Sequence, residues 1–328
     1  IIPYKIIQQG GENQSVVTKG DPLVLFDEEI GFRANNNSTT LRDHRRMGFK
    51  FKIVTDDTGA RISNRSIKKN YSDHSIIAIG GSITWGHGVN YENTFSSMLE
   101  KKLNTRVKNY AMGSYGTLQA YKILKKKNNN LNSKLIIYGF MDDHPNRNIR
   151  KCMITSSIYC VKNPRVIIDE KNGTFRTPKI LIDNVSKTQR YAQRLEEQKL
   201  FAFENFTLGL GYLKDSFFKR LNKYEDHSTL DQKLKIEKYL IEKMNTEAKN
   251  IGAKLLIVNV GIGIPRTYYD KIVNMNFDDN IIFLDASTFT GFKDNELLIK
   301  IDAHPNSLGH ELMGKKIYKF INEKKLIN

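Results

Sequence analysis

The chain has 328 residues, with 52 Lys or Arg against 35 Asp or Glu, a formal net charge of +17 and 39% apolar residues. That length suffices for one large α/β domain with an added segment and a substantial core, and no apolar run reaches the roughly 18 residues that a membrane-spanning helix needs. A basic surface attracts polyanions in general, but no helix-turn-helix, zinc or RNA-binding motif accompanies the charge, which argues against specific nucleic-acid recognition.

Residues 1–74 carry short alternating apolar runs, Pro22–Phe26 and Phe49–Val54, separated by the polar stretches Asn35–Asn37 and Asp56–Gly59. This pattern predicts β-strands, a small β-rich N-terminal segment. The sequence opens on Ile1 rather than Met, which fits the loss of an upstream signal or anchor. From residue 75 the pattern changes to alternating strands and helices. Strands are expected at 76–80, 107–110, 134–140, 254–260 and 281–285, and helices near 91–103, 117–127, 230–250 and 306–323. Such alternation predicts a three-layer αβα domain over residues 75–328, with a central parallel sheet covered on both faces.

An insertion at about 149–229 interrupts the alternation. It holds a hairpin signal at Asn172-Gly173 and the aromatics Phe201, Phe203, Phe206, Tyr212, Phe217 and Phe218. These read first as core and second as a platform for a sugar ring. It also holds both cysteines, Cys152 and Cys160. They are either a reduced pair or a small disulfide, and the surrounding loop residues suit the disulfide. That reading predicts an oxidising location: periplasmic, secreted or cell-surface.

The chemistry concentrates in two stretches. The apolar run Ile76-Ile77-Ala78-Ile79 ends in Gly80-Gly81 and is followed at once by Ser82. A serine at the C-terminal end of a parallel strand sits where α/β sheets bind ligands, and it becomes a nucleophile if a base reaches it. Near the C-terminus, Asp302-Ala303-His304-Pro305-Asn306 supplies a carboxylate and an imidazole from one loop. Ser82, Asp302 and His304 are therefore the candidate nucleophile, orienting acid and general base. His87 can face the site or satisfy its own turn, and His310 packs or caps. His44, His74 and His227 have no motif context, and no histidine has metal-ligand spacing, so neither a metal nor a cofactor is expected.

These stretches resemble the SGNH (GDSL-type) hydrolases. Gly80-Gly81-Ser82-Ile83-Thr84 resembles the Gly-Asp-Ser block, with Gly81 in place of Asp. Asn109 to Gln119 resembles the second block, whose oxyanion-hole glycine falls on Ser114; the backbone N–H survives that change. The third block, Gly-x-Asn-Asp in the family, falls on Phe140-Met141-Asp142-Asp143-His144, placing Asp143 where an Asn side chain normally donates. An ionised Asp donates nothing. Asp143 is therefore protonated, or another group donates, or the hole is weaker. Asp302-x-His304-Pro305-Asn306 resembles a variant of carbohydrate-modifying branches. Gly31-Phe32-Arg33 and Thr58-Gly59-Ala60-Arg61 resemble a lead-in ahead of some of these domains.

The resemblance implies a serine-dependent ester hydrolase or O-acyltransferase acting on acyl, chiefly acetyl, esters of a carbohydrate. Its oxyanion hole would be drawn from Ser82, Ser114 and the Asp143 position. The alternative is a degenerate domain that binds an anionic glycan or other polyanion without turnover. The charge itself reads as plain solvated surface, as attraction to an anionic glycan or membrane surface, or, least favoured, as nucleic-acid binding; residues 101–134 alone hold nine Lys or Arg and no acid.

Overall fold

Strands buried on both faces have no polar side to show, so they read as continuous apolar runs; β7 (Ser75–Gly80) and β9 (Ser133–Phe140) are of this kind and form the middle of the sheet. The computed structural model describes residues 16–20, 23–44, 48–63, 71, 74–127, 132–150, 152–155, 160–162, 164–169, 172–177, 228–300 and 302–327. Ahead of β7 come β1 (Val16–Gly20), β2 (Val24–Asp27), β3 (Gly31–Ala34), β4 (Thr39–His44), β5 (Phe49–Thr55) and β6 (Arg61–Ile62). Beside it lies β8 (Arg106–Asn109). β10 (Cys152–Thr155), β11 (Cys160–Lys162), β12 (Ile167–Asp169) and β13 (Thr174–Arg176) belong to the insertion, and β14 (Lys254–Asn259) and β15 (Ile281–Asp285) complete the set.

The main sheet runs β1-β4-β5-β6-β8-β7-β9-β14-β15. From β8 to β15 every pairing is parallel. Numbered along the chain, these five strands have the order 2-1-3-4-5 of doubly wound folds, whose topological switch point lies between the first and third strands, here β7 and β9. β1, β4, β5 and β6 continue the same sheet in antiparallel fashion, joined to it where Arg61 of β6 pairs with Asn109 of β8, while β2 and β3 pair as a separate two-stranded sheet.

The helices are α1 (Ser82–Trp85), α2 (Phe95–Leu103), α3 (Thr117–Lys127), α4 (His144–Ile149), α5 (Leu230–Asn250), α6 (Thr267–Val273), α7 (Asp294–Leu297) and α8 (Ser307–Glu323). Alternate residues of a strand face opposite ways, and the cores divide accordingly. Ile77, Ile79, Ile136, Tyr138, Leu255 and Ile257 pack with α3, α5 and α6 on one face. Ile76, Ala78, Leu135, Ile137, Leu256 and Val258 pack with α2 and α8 on the other. The three-layer αβα expectation holds.

The expected strands and three of the four long helices occur within a residue or two of their predicted ends, whereas the helix expected near 91–103 begins only at Phe95, after a 3₁₀ turn at Tyr91–Asn93. The sequence reading missed α1, α4, α6 and α7, which span four to seven residues, too few for a 3.6-residue period to emerge. The Asn172-Gly173 hairpin joins β12 and β13. β10 pairs with β11, but the side chains of Cys152 and Cys160, and the aromatic run from Phe201 to Phe218, lie outside the described residues.

Candidate active site

β7 ends at Gly80, and Ser82 opens α1 directly. The reversal depends on two glycines. Gly80 has φ 146°, and a Cβ there would lie 2.6 Å from both the Gly139 carbonyl and Thr84 Oγ1. A Cβ on Gly81 would lie 2.7 Å from His144 Nε2, so the imidazole ring takes the space where the related block carries an Asp side chain. Asn109, at the end of β8, anchors the short helix by donating to the Thr84 carbonyl (2.7 Å) and Ser96 Oγ (3.2 Å).

The loop before α8 brings up the other two groups. Leu298 bridges Pro305, the Ile299 N–H donates to the His304 carbonyl at 2.8 Å, and Asn306 both caps α8 and donates to the Glu296 carbonyl at 2.8 Å. In that frame His304 Nε2 meets Ser82 Oγ at 2.7 Å, and Nδ1 is hydrogen-bonded to Asp302 Oδ1. The His304 N–H also donates to the Asp302 carboxylate, at 3.2 Å. Ser82 is 8% exposed. The fold thus gathers the three predicted residues at the C-terminal edge of the sheet, beside the switch point.

Ser114 takes φ 66°, the left-handed conformation that suits the glycine of the related block. The turn closes through a Tyr115 N–H to Met112 carbonyl bond of 3.3 Å. Among the described residues, neither the Ser82 nor the Ser114 N–H is engaged in a hydrogen bond. Asp143 departs from its expected place. Its carboxylate accepts from Arg147 Nε at 2.8 Å and Arg150 Nη2 at 2.9 Å, so it is an acceptor tied to two guanidinium groups and no oxyanion donor. Asp142 is structural as well, accepting the N–H groups of Tyr268 and Tyr269 at the start of α6.

Two buried arrangements support the site, and neither was identified from the sequence. The first runs behind the nucleophile. Glu237 of α5, Thr117, Tyr138 and His144 are hydrogen-bonded in series at 2.6, 2.7 and 2.8 Å, and Asn148 Nδ2 donates to Glu237 at 2.8 Å. Burial raises the Glu237 carboxyl to about 8, against hydrogen bonds that lower it. Burial likewise holds His144 neutral, well below its ordinary value. Nδ1 of the ring faces the Tyr138 hydroxyl and the Met141 N–H, while Nε2 is buried against Gly81. The pattern offered a signal: Glu237 shares the apolar stripe of Leu240, Ile241 and Met244.

The second is Arg61, from β6. Its fully buried guanidinium donates to the carbonyls of Trp85 (2.5 Å), Gly86 (2.6 Å) and Val89 (2.6 Å), and reaches that of Lys52 at 3.4 Å. It also lies 5.5 Å from the Trp85 ring centroid. Burial lowers its pKa to about 10, so it remains a cation at neutral pH. It clamps the segment that follows the nucleophile. His310 is buried against Phe95 and kept neutral by burial, its value lowered to about 3.

No family model matches the sequence, and no curated protein matches it. Solved structures do resemble it. One is a member of the lipolytic protein G-D-S-L family from Veillonella parvula, 12% identical over 76% of this chain and 98% of that one, with a TM-score of 0.42. Another is the psychrotrophic esterase EstA from Pseudoalteromonas, 11% identical over 78% of this chain and 100% of that one, with a TM-score of 0.41. A third is a family two carbohydrate esterase from Clostridium thermocellum, solved with cellohexaose; it is 11% identical over 79% of this chain and 66% of that one, with a TM-score of 0.43.

Proposed function

We propose that this chain is an SGNH-type serine hydrolase that forms an acyl ester on Ser82. The observation that carries the reading is the Ser82–His304–Asp302 relay at the sheet's C-terminal edge. His304 Nε2 accepts the Ser82 proton as Oγ attacks the ester carbonyl. Asp302 holds the imidazole through Nδ1 and stabilises the cation that forms. The oxyanion is received by the N–H groups of Ser82 and Ser114. Collapse expels the alcohol, which takes its proton from His304, and leaves the acyl group on Ser82. Water then releases the acid, or a sugar hydroxyl takes the acyl group, with His304 again relaying the proton. The carbohydrate ester as substrate is supported by the likeness of Asp302-x-His304-Pro305-Asn306 to carbohydrate-modifying branches.

A second reading, glycan binding without turnover, is favoured by the state of Asp143. Losing one oxyanion donor typically costs about 2.7–4 kcal/mol, so a hole of two backbone donors makes a slower enzyme. Release of p-nitrophenol from its acetyl ester, by wild type and Ser82→Ala, separates the two. The hydrolase reading expects a loss of about 10³-fold or more in the variant. Equal rates for both proteins, or no release by either, sinks it.

A further inference from the structure

The turn after α1 brings a second imidazole to the triad. The His87 N–H donates to the Ser82 carbonyl at 3.0 Å, and its ring centroid lies 4.5 Å from that of His304. Phe51 of β5 packs edge-on against it at 5.5 Å. One potential ligand atom each from His87, Asp302 and His304 lie within 4.8 Å of one another, and all three residues are partly exposed. Sequence spacing shows none of this, because His87 and the Asp302–His304 pair come from opposite ends of the domain.

Two imidazoles and a carboxylate suit zinc and its first-row neighbours rather than calcium or magnesium. Metal–ligand bonds of about 2.0–2.2 Å place tetrahedral ligand atoms about 3.3–3.6 Å apart. Closing on a metal therefore asks for movements of about 1 Å in two loops, and leaves a fourth position to water. We propose that His87, Asp302 and His304 form a binding site for a divalent transition metal of the zinc class, whose occupancy switches off the serine chemistry. The metal-binding half stands by itself; the inhibitory half rests on the function proposed above.

Either mode of binding disables the relay. A metal on His304 Nε2 occupies the lone pair that must take the Ser82 proton. A metal held between Nδ1 and Asp302 breaks the contact that orients the ring. The imidazoles contribute lone pairs only, so no oxidation is involved and a chelator reverses the effect.

The test uses Co²⁺ as a spectroscopic probe and Zn²⁺ as inhibitor, with wild type, His87→Gln and Ser82→Ala. Wild type should show the visible d–d bands of tetrahedral Co²⁺, displaced by Zn²⁺ but not by Mg²⁺. Zn²⁺ should stop p-nitrophenyl acetate hydrolysis, and EDTA should restore it. His87→Gln, confirmed folded by circular dichroism, should need about tenfold or more metal for either effect, relative to its own metal-free rate, while Ser82→Ala should keep the cobalt bands. Absence of cobalt bands in wild type, or the same metal response in His87→Gln, overturns the site. Should no protein hydrolyse the ester, the cobalt measurement still decides the binding claim.

Discussion

Ser114 carries a side chain in a backbone conformation that costs an L-residue about 1–2 kcal/mol. Its proposed part in catalysis needs only the N–H, so the side chain is expendable there. Ser114→Gly should raise stability by up to about 1 kcal/mol, the removed strain being offset in part by the freedom glycine gains when unfolded. Turnover should remain close to that of wild type. Urea unfolding and kcat on one ester check both halves; a large fall in kcat would assign the hydroxyl itself a role.

At the level of elements, the site depends on pieces far from Ser82 in sequence. Arg61 delivers a cation from β6 to three carbonyls of the Trp85–Val89 segment. Arg61→Gln leaves buried acceptors unsatisfied, each at about 1–3 kcal/mol, and frees the segment behind the nucleophile. A displacement of about 1 Å there can cost roughly 10²-fold, so kcat should fall by about that much with KM little changed. Arg61→Lys, retaining a cation and part of the bonding, should recover some of the loss; a purely structural residue would change stability and leave kcat per folded molecule intact.

Glu237 ties α5 to α3 and α4, and its carboxyl is raised from 4.5 to about 8 by burial. Between those values the unfolded chain releases this proton and the folded chain keeps it. The contribution to stability is therefore complete below about pH 4.5 and is lost as pH rises towards 8, by at most about 5 kcal/mol. Glu237→Gln should flatten that part of the profile of unfolding midpoint against pH. An unchanged slope would show that the carboxyl ionises freely in the fold.

For the molecule as a whole, the charge of +17 sets the expectation for large anionic substrates. Exposed charges are screened within about 10 Å at 0.1 M salt. Acyl release from an acidic polysaccharide should therefore weaken as salt rises, while hydrolysis of a small neutral ester should barely respond. Equal salt dependence for both would remove the charge from substrate choice.

The elements of the α/β domain were legible because they announce themselves locally. Short apolar runs marked most of the strands, helical periodicity marked the long helices, and Gly80-Gly81-Ser82 with Asp302-x-His304 marked the reactive groups. Those features follow from backbone sterics and side-chain period, which a window of a few residues contains. Contacts between distant segments were not legible. That His144 fills the space above Gly81, that Arg61 grips the carbonyls after Ser82 and that His87 lies against His304 are all consequences of packing. Sequence determined which groups were present and which strand ends carried them. Only the tertiary structure decided what each one faces, because burial, charge pairing and the open or occupied state of a donor depend on neighbours brought together by the sheet.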